Sequence, residues 1–251
     1  MSAGERKTSE LPDRVHAWPH LVKVEFIAAL LMLAFLLAWS ILLDAPLEEP
    51  ANPAVTPDPS KAPWYFVGLQ ELLVYFDPWI AGVLLPLMIL TGLVAIPYVD
   101  RNPKGNGGYT LRERPFALAV FLFGFLGLWI VPIVVGALFR GPGWHFYWPW
   151  ETWEVGRAVA AASVDLPWLL GARGAAAQQV VGGGLVLAWL FLTLAGPWLL
   201  WRRRPFFVQL GLLRWLVVGV HLSVMLGVVV KVALRLLFSV KYVWVTPWFS
   251  L

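Results

Sequence analysis

Five stretches of the chain are almost continuously apolar, and the segments between them are polar, proline-rich or basic. They run over residues 24–43, 79–98, 115 to near 139, about 180–201, and 213 to at least 230. At ~1.5 Å per helical residue, some twenty residues cross a hydrocarbon layer of ~30 Å. Nothing in these stretches alternates with a period of two. The pattern therefore predicts an all-α integral membrane protein with about five transmembrane helices.

Punctuation between the spans is mostly proline and charge. Asp44, Ala45 and Pro46 stop the first span, Pro115 opens the third, and Arg202, Arg203, Arg204 and Pro205 end the fourth. Pro86 lies inside the second span and is predicted to kink it; Pro97 lies near its end. Before the second span, Pro53, Pro57 and Pro59 favour extended chain, and Ser60 is predicted to cap a short helix with Pro63 in its first turn. This helix is expected to end near Phe76, where Asp77 and Pro78 read as the N-cap and first helical residue of the next span. The loop over residues 140–180 is aromatic first and alanine-rich later, which suggests one or two short helices on the membrane surface. Past the fifth span, Lys231 and Arg235 share a helical face: either a snorkelling span end or an interfacial amphipathic helix, which the pattern does not separate.

Composition narrows the class further. A mean hydropathy of +0.71 with 59% hydrophobic and 14% charged residues excludes an ordinary soluble domain. The sixteen tryptophans include a cluster at Trp144, Trp148, Trp150 and Trp153, as in an interfacial aromatic belt. The net charge of +4 does not point to nucleic acid, because the basic residues group beside span ends. Twelve of the nineteen Lys and Arg fall in the N-terminal arm and in the second and fourth connectors. The positive-inside rule then puts the N terminus in the cytoplasm and the 44–78 loop outside. Residues 1–21 form a polar arm without an apolar core, so no cleavable signal peptide is read and the first span directs insertion. The absence of cysteine excludes disulfides, thiolate metal sites and thioether-linked haem in this chain.

The loop before the second span carries Ala62, Pro63, Trp64 and Tyr65. In its place between two spans, this sequence resembles the Pro-Glu-Trp-Tyr motif of the quinol-oxidation site of cytochrome b in bc and b6f complexes. Over residues 22–139, the order of span, motif loop, span, polar connector and span is similar to subunit IV, the C-terminal half of a split cytochrome b. Residues 140–251, an aromatic and alanine-rich loop with two further spans and a tail, have no counterpart in that three-helix unit. The resemblance implies a subunit of a quinol (menaquinol among the candidates):cytochrome c-type oxidoreductase in an energy-transducing membrane. It implies as partners a cytochrome b6-like di-haem subunit, a Rieske-type iron–sulfur protein and a c-type cytochrome, which would carry haem b, the iron–sulfur cluster and haem c. Within this family reading the chain itself binds no haem. A non-catalytic membrane anchor or assembly subunit is the competing class; a transporter is disfavoured by the few intramembrane charges and the lack of paired half-repeats.

Candidate chemistry follows from the motif. Pro63, Trp64, Tyr65 and Tyr75 are the expected quinol-binding residues, with Tyr65 at the matching site position; Tyr75 either lines the pocket or anchors the next span. The motif glutamate, the proposed proton acceptor of the family, is replaced by Pro63, which has no titratable group. Glu71 is the nominated substitute. It follows Trp64 by seven residues, two helical turns on the same face, and its apolar neighbours Leu69, Leu72 and Leu73 would desolvate it toward a value suited to accepting a proton. Asp77 reads as a cap rather than a catalyst. Lys23 and Glu25 mark the cytoplasmic end of the first span. His16 and His20 lie in the arm and His145 in the Trp-rich loop; His221 alone lies inside a span, and reads as a helix-packing residue because two-histidine haem ligation needs a partner at matching depth.

Overall fold

A computed structural model of the chain describes residues 17–43, 50, 52–100, 110–154 and 163–251. Most of the polar arm, the acidic residues Asp44, Glu48 and Glu49, the basic residues Arg101 and Lys104, and the middle of the alanine-rich loop lie outside the described residues. The chain divides into two compact units, Met1–Val55 and Thr56–Leu251. In the first, helix α1 (Val22–Leu42) is exposed all round, as suits an apolar helix facing lipid; Lys23 and Glu25 sit in its first turn.

The second unit contains a short helix α2 (Trp64–Leu72) and four long ones, α3 (Ile80–Val99), α4 (Pro115–Leu138), α5 (Ala175–Trp201) and α6 (Pro205–Phe238). With the first, this gives five helices among the described residues that are long and apolar enough to cross a membrane. Among the described residues the fold is all-helical, with isolated bridges only: Arg140 with Phe146, Val164 with Val240 and Val245 with Ser250.

Local chemistry explains most boundaries. Asp77 caps the second span as expected, its Oδ1 accepting from the Trp79 N–H at 3.0 Å while its carbonyl accepts from Ile80 and Ala81. Ser60, in contrast, caps nothing. The N-cap of α2 is Pro63, and Gln70 supplies the closure instead: its Nε2 donates to the Ser60 carbonyl (2.8 Å) and its Oε1 accepts from the Ala62 N–H (2.9 Å). The helix stops at Leu72 rather than near Phe76, and residues 73–76 form turns. The 140–180 loop forms a tight hairpin and one helical turn, Leu166–Leu169, among its described residues; the fourth span begins earlier than expected, at Ala175.

Three spans share one irregularity. Wide, π-type turns occupy Ile80–Leu84, Phe123–Ile130 and Phe191–Ala195, and each lies just before a proline, Pro86, Pro132 and Pro197. A proline removes one N–H and its ring collides with the carbonyl four residues back; here those carbonyls belong to Gly82, Leu128 and Thr193, inside the widened turns. The expected disturbance at Pro86 is thus a widened turn.

The last helical element, Pro205–Phe238, is broken at Gly211 (φ 74°), so its continuous part opens beside Leu212, near the start the apolar run suggested, and extends past that run to a left-handed Ser239 (φ 53°) after its end. Lys231 and Arg235 lie within it, and Lys231 is only 4% exposed. It therefore neither snorkels nor lies along an interface: its Nζ donates to the carbonyls of Tyr75 (2.7 Å) and Lys241 (2.6 Å).

Because lipid tails are as apolar as the helices, polar ties and small residues set the packing between spans. Thr193 and Ser223 hydroxyls lie 2.7 Å apart, and Trp189 Nε1 donates to the Ser223 carbonyl. His221 holds the carbonyl of Val217 in its own helix through Nδ1 (2.7 Å) and faces Thr91 of α3 through Nε2 (3.2 Å), the latter a contact between spans. At one end of this unit Arg214 donates to the Tyr98 carbonyl and Arg114 pairs with Asp100. At the other end the 56–79 loop, the hairpin after α4 and residues 239–251 come together around a core of Leu72, Tyr75, Phe76, Ile80, Ala81, Leu85 and Val228, against which Phe249 and Leu251 pack.

Candidate functional site

The short helix α2 is pressed against the end of α4 by two glycines. A Cβ on Gly68 would stand 2.9 Å from Ile133 Cγ1, and one on Gly136 would stand 3.1 Å from both Val67 Cγ2 and the Val67 carbonyl. This close approach turns Val67 and Glu71 inward, each 1% exposed.

A carboxylate so buried needs partners. Glu71 has four. The Tyr75 hydroxyl donates to Oε1 (2.8 Å); Arg140 donates from Nη2 to Oε1 (2.6 Å) and from Nε to Oε2 (2.8 Å); and the Trp144 indole N–H donates to Oε2 (3.1 Å). Arg140 is itself buried and also donates to the Trp144 carbonyl (3.0 Å) and the Tyr75 oxygen (3.4 Å).

Backbone geometry delivers Arg140 and Trp144. The chain leaves α4 and reverses in a hairpin closed by Gly141 N–H to the His145 carbonyl and Tyr147 N–H to the Phe139 carbonyl. At its tip Gly143 (φ 63°) and Trp144 (φ 57°) adopt left-handed backbone conformations. For a tryptophan this costs on the order of 1–3 kcal/mol, and the conformation aims its indole back onto Glu71. The loop before α2 reinforces the arrangement: Asp58 Oδ1 accepts from the Gly143 N–H at 2.7 Å, and Lys61 Nζ donates to the Ala137 carbonyl at 2.8 Å.

The electrostatics follow the burial. Desolvation first, and then the negative charge of Glu71, push the Tyr75 phenol up to about 12, so it remains a donor at neutral pH. Burial alone would lower Arg140, but the hydrogen bonds and charge of Glu71 outweigh it and raise it further. Burial lowers the Lys61 amine.

The expected site residues fall into two groups. Glu71 and Tyr75 are in direct contact. Trp64 and Tyr65, 68% and 46% exposed, form with Phe66 an aromatic run at the start of α2, with ring centroids 5.7 and 4.8 Å apart, and Pro63 caps it. Trp64 and Glu71 share a helical side but not an environment, because the hairpin residues cover Glu71 alone. Arg140 and Trp144 were not foreseen as site residues. The available signal was a charge argument: a desolvated Glu71 requires a cation, and Arg140 is the first basic residue after the third span, at the same membrane face.

Residues 50–137 match the family described as Cytochrome b(C-terminal)/b6/petD. The match takes in the loop, α2, α3 and α4, and leaves Arg140, Trp144, α5 and α6 beyond it. This part of the chain is similar to that family, and the five long apolar helices fit a multi-pass membrane protein of that kind. No solved structure matches the chain.

Proposed function

We propose, from the similarity of residues 50–137 to the cytochrome b C-terminal family, that this chain forms one wall of the outer quinol-oxidation site of a bc/b6f-type complex. The observation that carries the reading is a buried, fully hydrogen-bonded carboxylate, Glu71, on the same short helix as the exposed Trp64–Tyr65 pair, in a segment where the motif glutamate is absent.

Oxidation of a quinol to a quinone releases two protons and two electrons. Pro63, Trp64, Tyr65 and Phe66 offer an apolar and aromatic surface for the ring. Glu71 serves as proton acceptor, with Tyr75 and Arg140 fixing its two oxygens. Of its four donors, the Trp144 indole is the longest contact and comes from a partly exposed residue. A quinol hydroxyl therefore reaches Oε2 by taking the place of that indole. Tyr75, whose phenol keeps its proton, orients the carboxylate and does not compete as a base. Lys61, donating to the end of α4, closes the approach beside the motif.

The electrons pass to an iron–sulfur cluster and to haem groups in partner subunits: a Rieske-type protein, a cytochrome b6-like di-haem subunit and a c-type cytochrome, with menaquinol a candidate substrate. In this reading the chain holds no haem of its own, and His221 is a packing residue whose Nε2 faces Thr91 on the neighbouring span. The N terminus is placed in the cytoplasm and the site on the outer face.

The test is Glu71→Gln in the assembled complex, alongside Trp64→Leu and Tyr65→Leu. Loss of a general base slows turnover by ~100- to ~10,000-fold. The expected result is that loss for Glu71→Gln, and a raised KM for the two aromatic variants, at unchanged haem content. Wild-type turnover in all three would leave the chain as an anchor subunit and end this reading.

A further inference from the structure

We infer that Lys231, in the last helix and outside the family-matched segment, is a positioning residue for the Glu71–Tyr75 site. The helices beyond the cytochrome b-like part are then a working component of that site. This rests on the quinol-site reading for its effect on turnover, while its structural half stands independently.

An ammonium group at 4% exposure is costly in any setting and more so within a span, unless its charge and donors are compensated. The compensation here comes from two carbonyls, Tyr75 at 2.7 Å and Lys241 at 2.6 Å, and from the face of Phe76, whose centroid is 5.5 Å away. Among the described residues no carboxylate forms an ion pair with Lys231. The cation is thus spent on backbone, and the backbone it holds is that of Tyr75.

Tyr75 is consequently gripped at both ends. Its hydroxyl donates to Glu71 and accepts from Arg140; its carbonyl accepts from Lys231. Residues 73–76 have left the regular helix: their N–H groups bond back to residues 69–72, but among the described residues no backbone N–H bonds the Tyr75 carbonyl, and Lys231 is the donor that fixes it. The second carbonyl, Lys241, belongs to the segment that packs Phe249 and Leu251 against the core containing Tyr75 and Phe76. One side chain therefore joins the last helix, the quinol-side turn and the C-terminal segment. A methyl group in place of the ammonium would leave two carbonyls without their charged donor and free the turn to move.

The experiment compares Lys231→Met, Lys231→Gln and wild type in the complete complex, using quinol kinetics and backbone hydrogen exchange. A misplacement of about 1 Å remote from the chemistry can cost ~100-fold in rate. Lys231→Met is expected to lower kcat/KM by ~10- to ~100-fold, mostly through KM, and to speed exchange over residues 73–77 while α4 stays protected. Lys231→Gln, which keeps an N–H donor without the charge, is expected to recover most of both losses. Should Lys231→Met not assemble, the Gln variant carries the same test against wild type, with a smaller shift in the same two readouts. Unchanged exchange over 73–77 in Lys231→Met, or in Lys231→Gln where Lys231→Met does not assemble, overturns the inference, as does uniform exchange loss over the whole bundle. If exchange responds as expected while turnover is insensitive to Trp64, Tyr65 and Glu71 substitutions, the positioning stands and the quinol-site reading is what has failed.

Discussion

Arg140 and Glu71, sixty-nine positions apart, form a two-pronged ion pair in which both partners are almost fully buried. Breaking such a pair from one side strands a charge, whereas replacing both sides by apolar groups does not. Arg140→Met alone is expected to cost about 3–5 kcal/mol, and Glu71→Leu with Arg140→Met far less than the two single losses added. Denaturant titration of the purified protein in detergent reads all four corners of the cycle. Additive losses would mean that the pair is not a unit.

Tyr75 should titrate well apart from the other tyrosines. Its folded-state phenol is held up to about 12 against an ordinary value of 10.0, so between those pH values the folded protein keeps a proton that the unfolded chain releases. The stability tied to this group is complete below pH 10 and is lost as pH climbs toward 12. An ultraviolet difference titration of wild type against Tyr75→Phe is expected to isolate one phenol with this late midpoint, and an ordinary midpoint would contradict the buried contact with Glu71.

Gly68 sets how closely α2 lies on α4. Gly68→Ala places a methyl 2.9 Å from Ile133 Cγ1 and is expected to destabilise by about 1–3 kcal/mol. Pairing it with Ile133→Ala removes the obstructing atom, so the double variant should be less damaged than the sum of the singles. Thermal melts of the three variants decide it.

The chain has no cysteine, so single engineered cysteines report topology cleanly. Ser60 and Trp248 stand at the site end of the second unit and Arg203 at the other. Ser60→Cys and Trp248→Cys are expected to react with an impermeant maleimide from the outer face, and Arg203→Cys from the cytoplasmic face. Labelling of Ser60→Cys from the cytoplasm alone would invert the orientation drawn from the basic residues.

How much of this could be read from the chain depended on the range of the interaction concerned. Asp77 with Pro78, and Pro115, mark span starts through bonds to residues two to four positions away, and these starts agree with the structure. The all-helical class followed from apolar length alone. Ser60 failed as a cap because Gln70, ten residues on, took over the loop closure, a choice made by side-chain reach that no capping pattern encodes. Arg140 was missed for the same reason at larger scale, since its value lies in a hairpin that brings it back to Glu71. Lys231 was read as part of either a snorkelling span end or an interfacial helix; its burial depends on Tyr75, across 156 positions of sequence.

The widened turns before Pro86, Pro132 and Pro197 alter how three spans present their side chains. An α-helix turns by ~100° per residue, so a turn that takes in one extra residue rotates everything past it by about that angle. A single helical wheel drawn through α3, α4 or α5 is therefore out of phase with itself on the two sides of its proline. Two surfaces on one span can then address different neighbours, with the first turns of α3 serving the Tyr75 core and its later turns, from Thr91 on, serving His221.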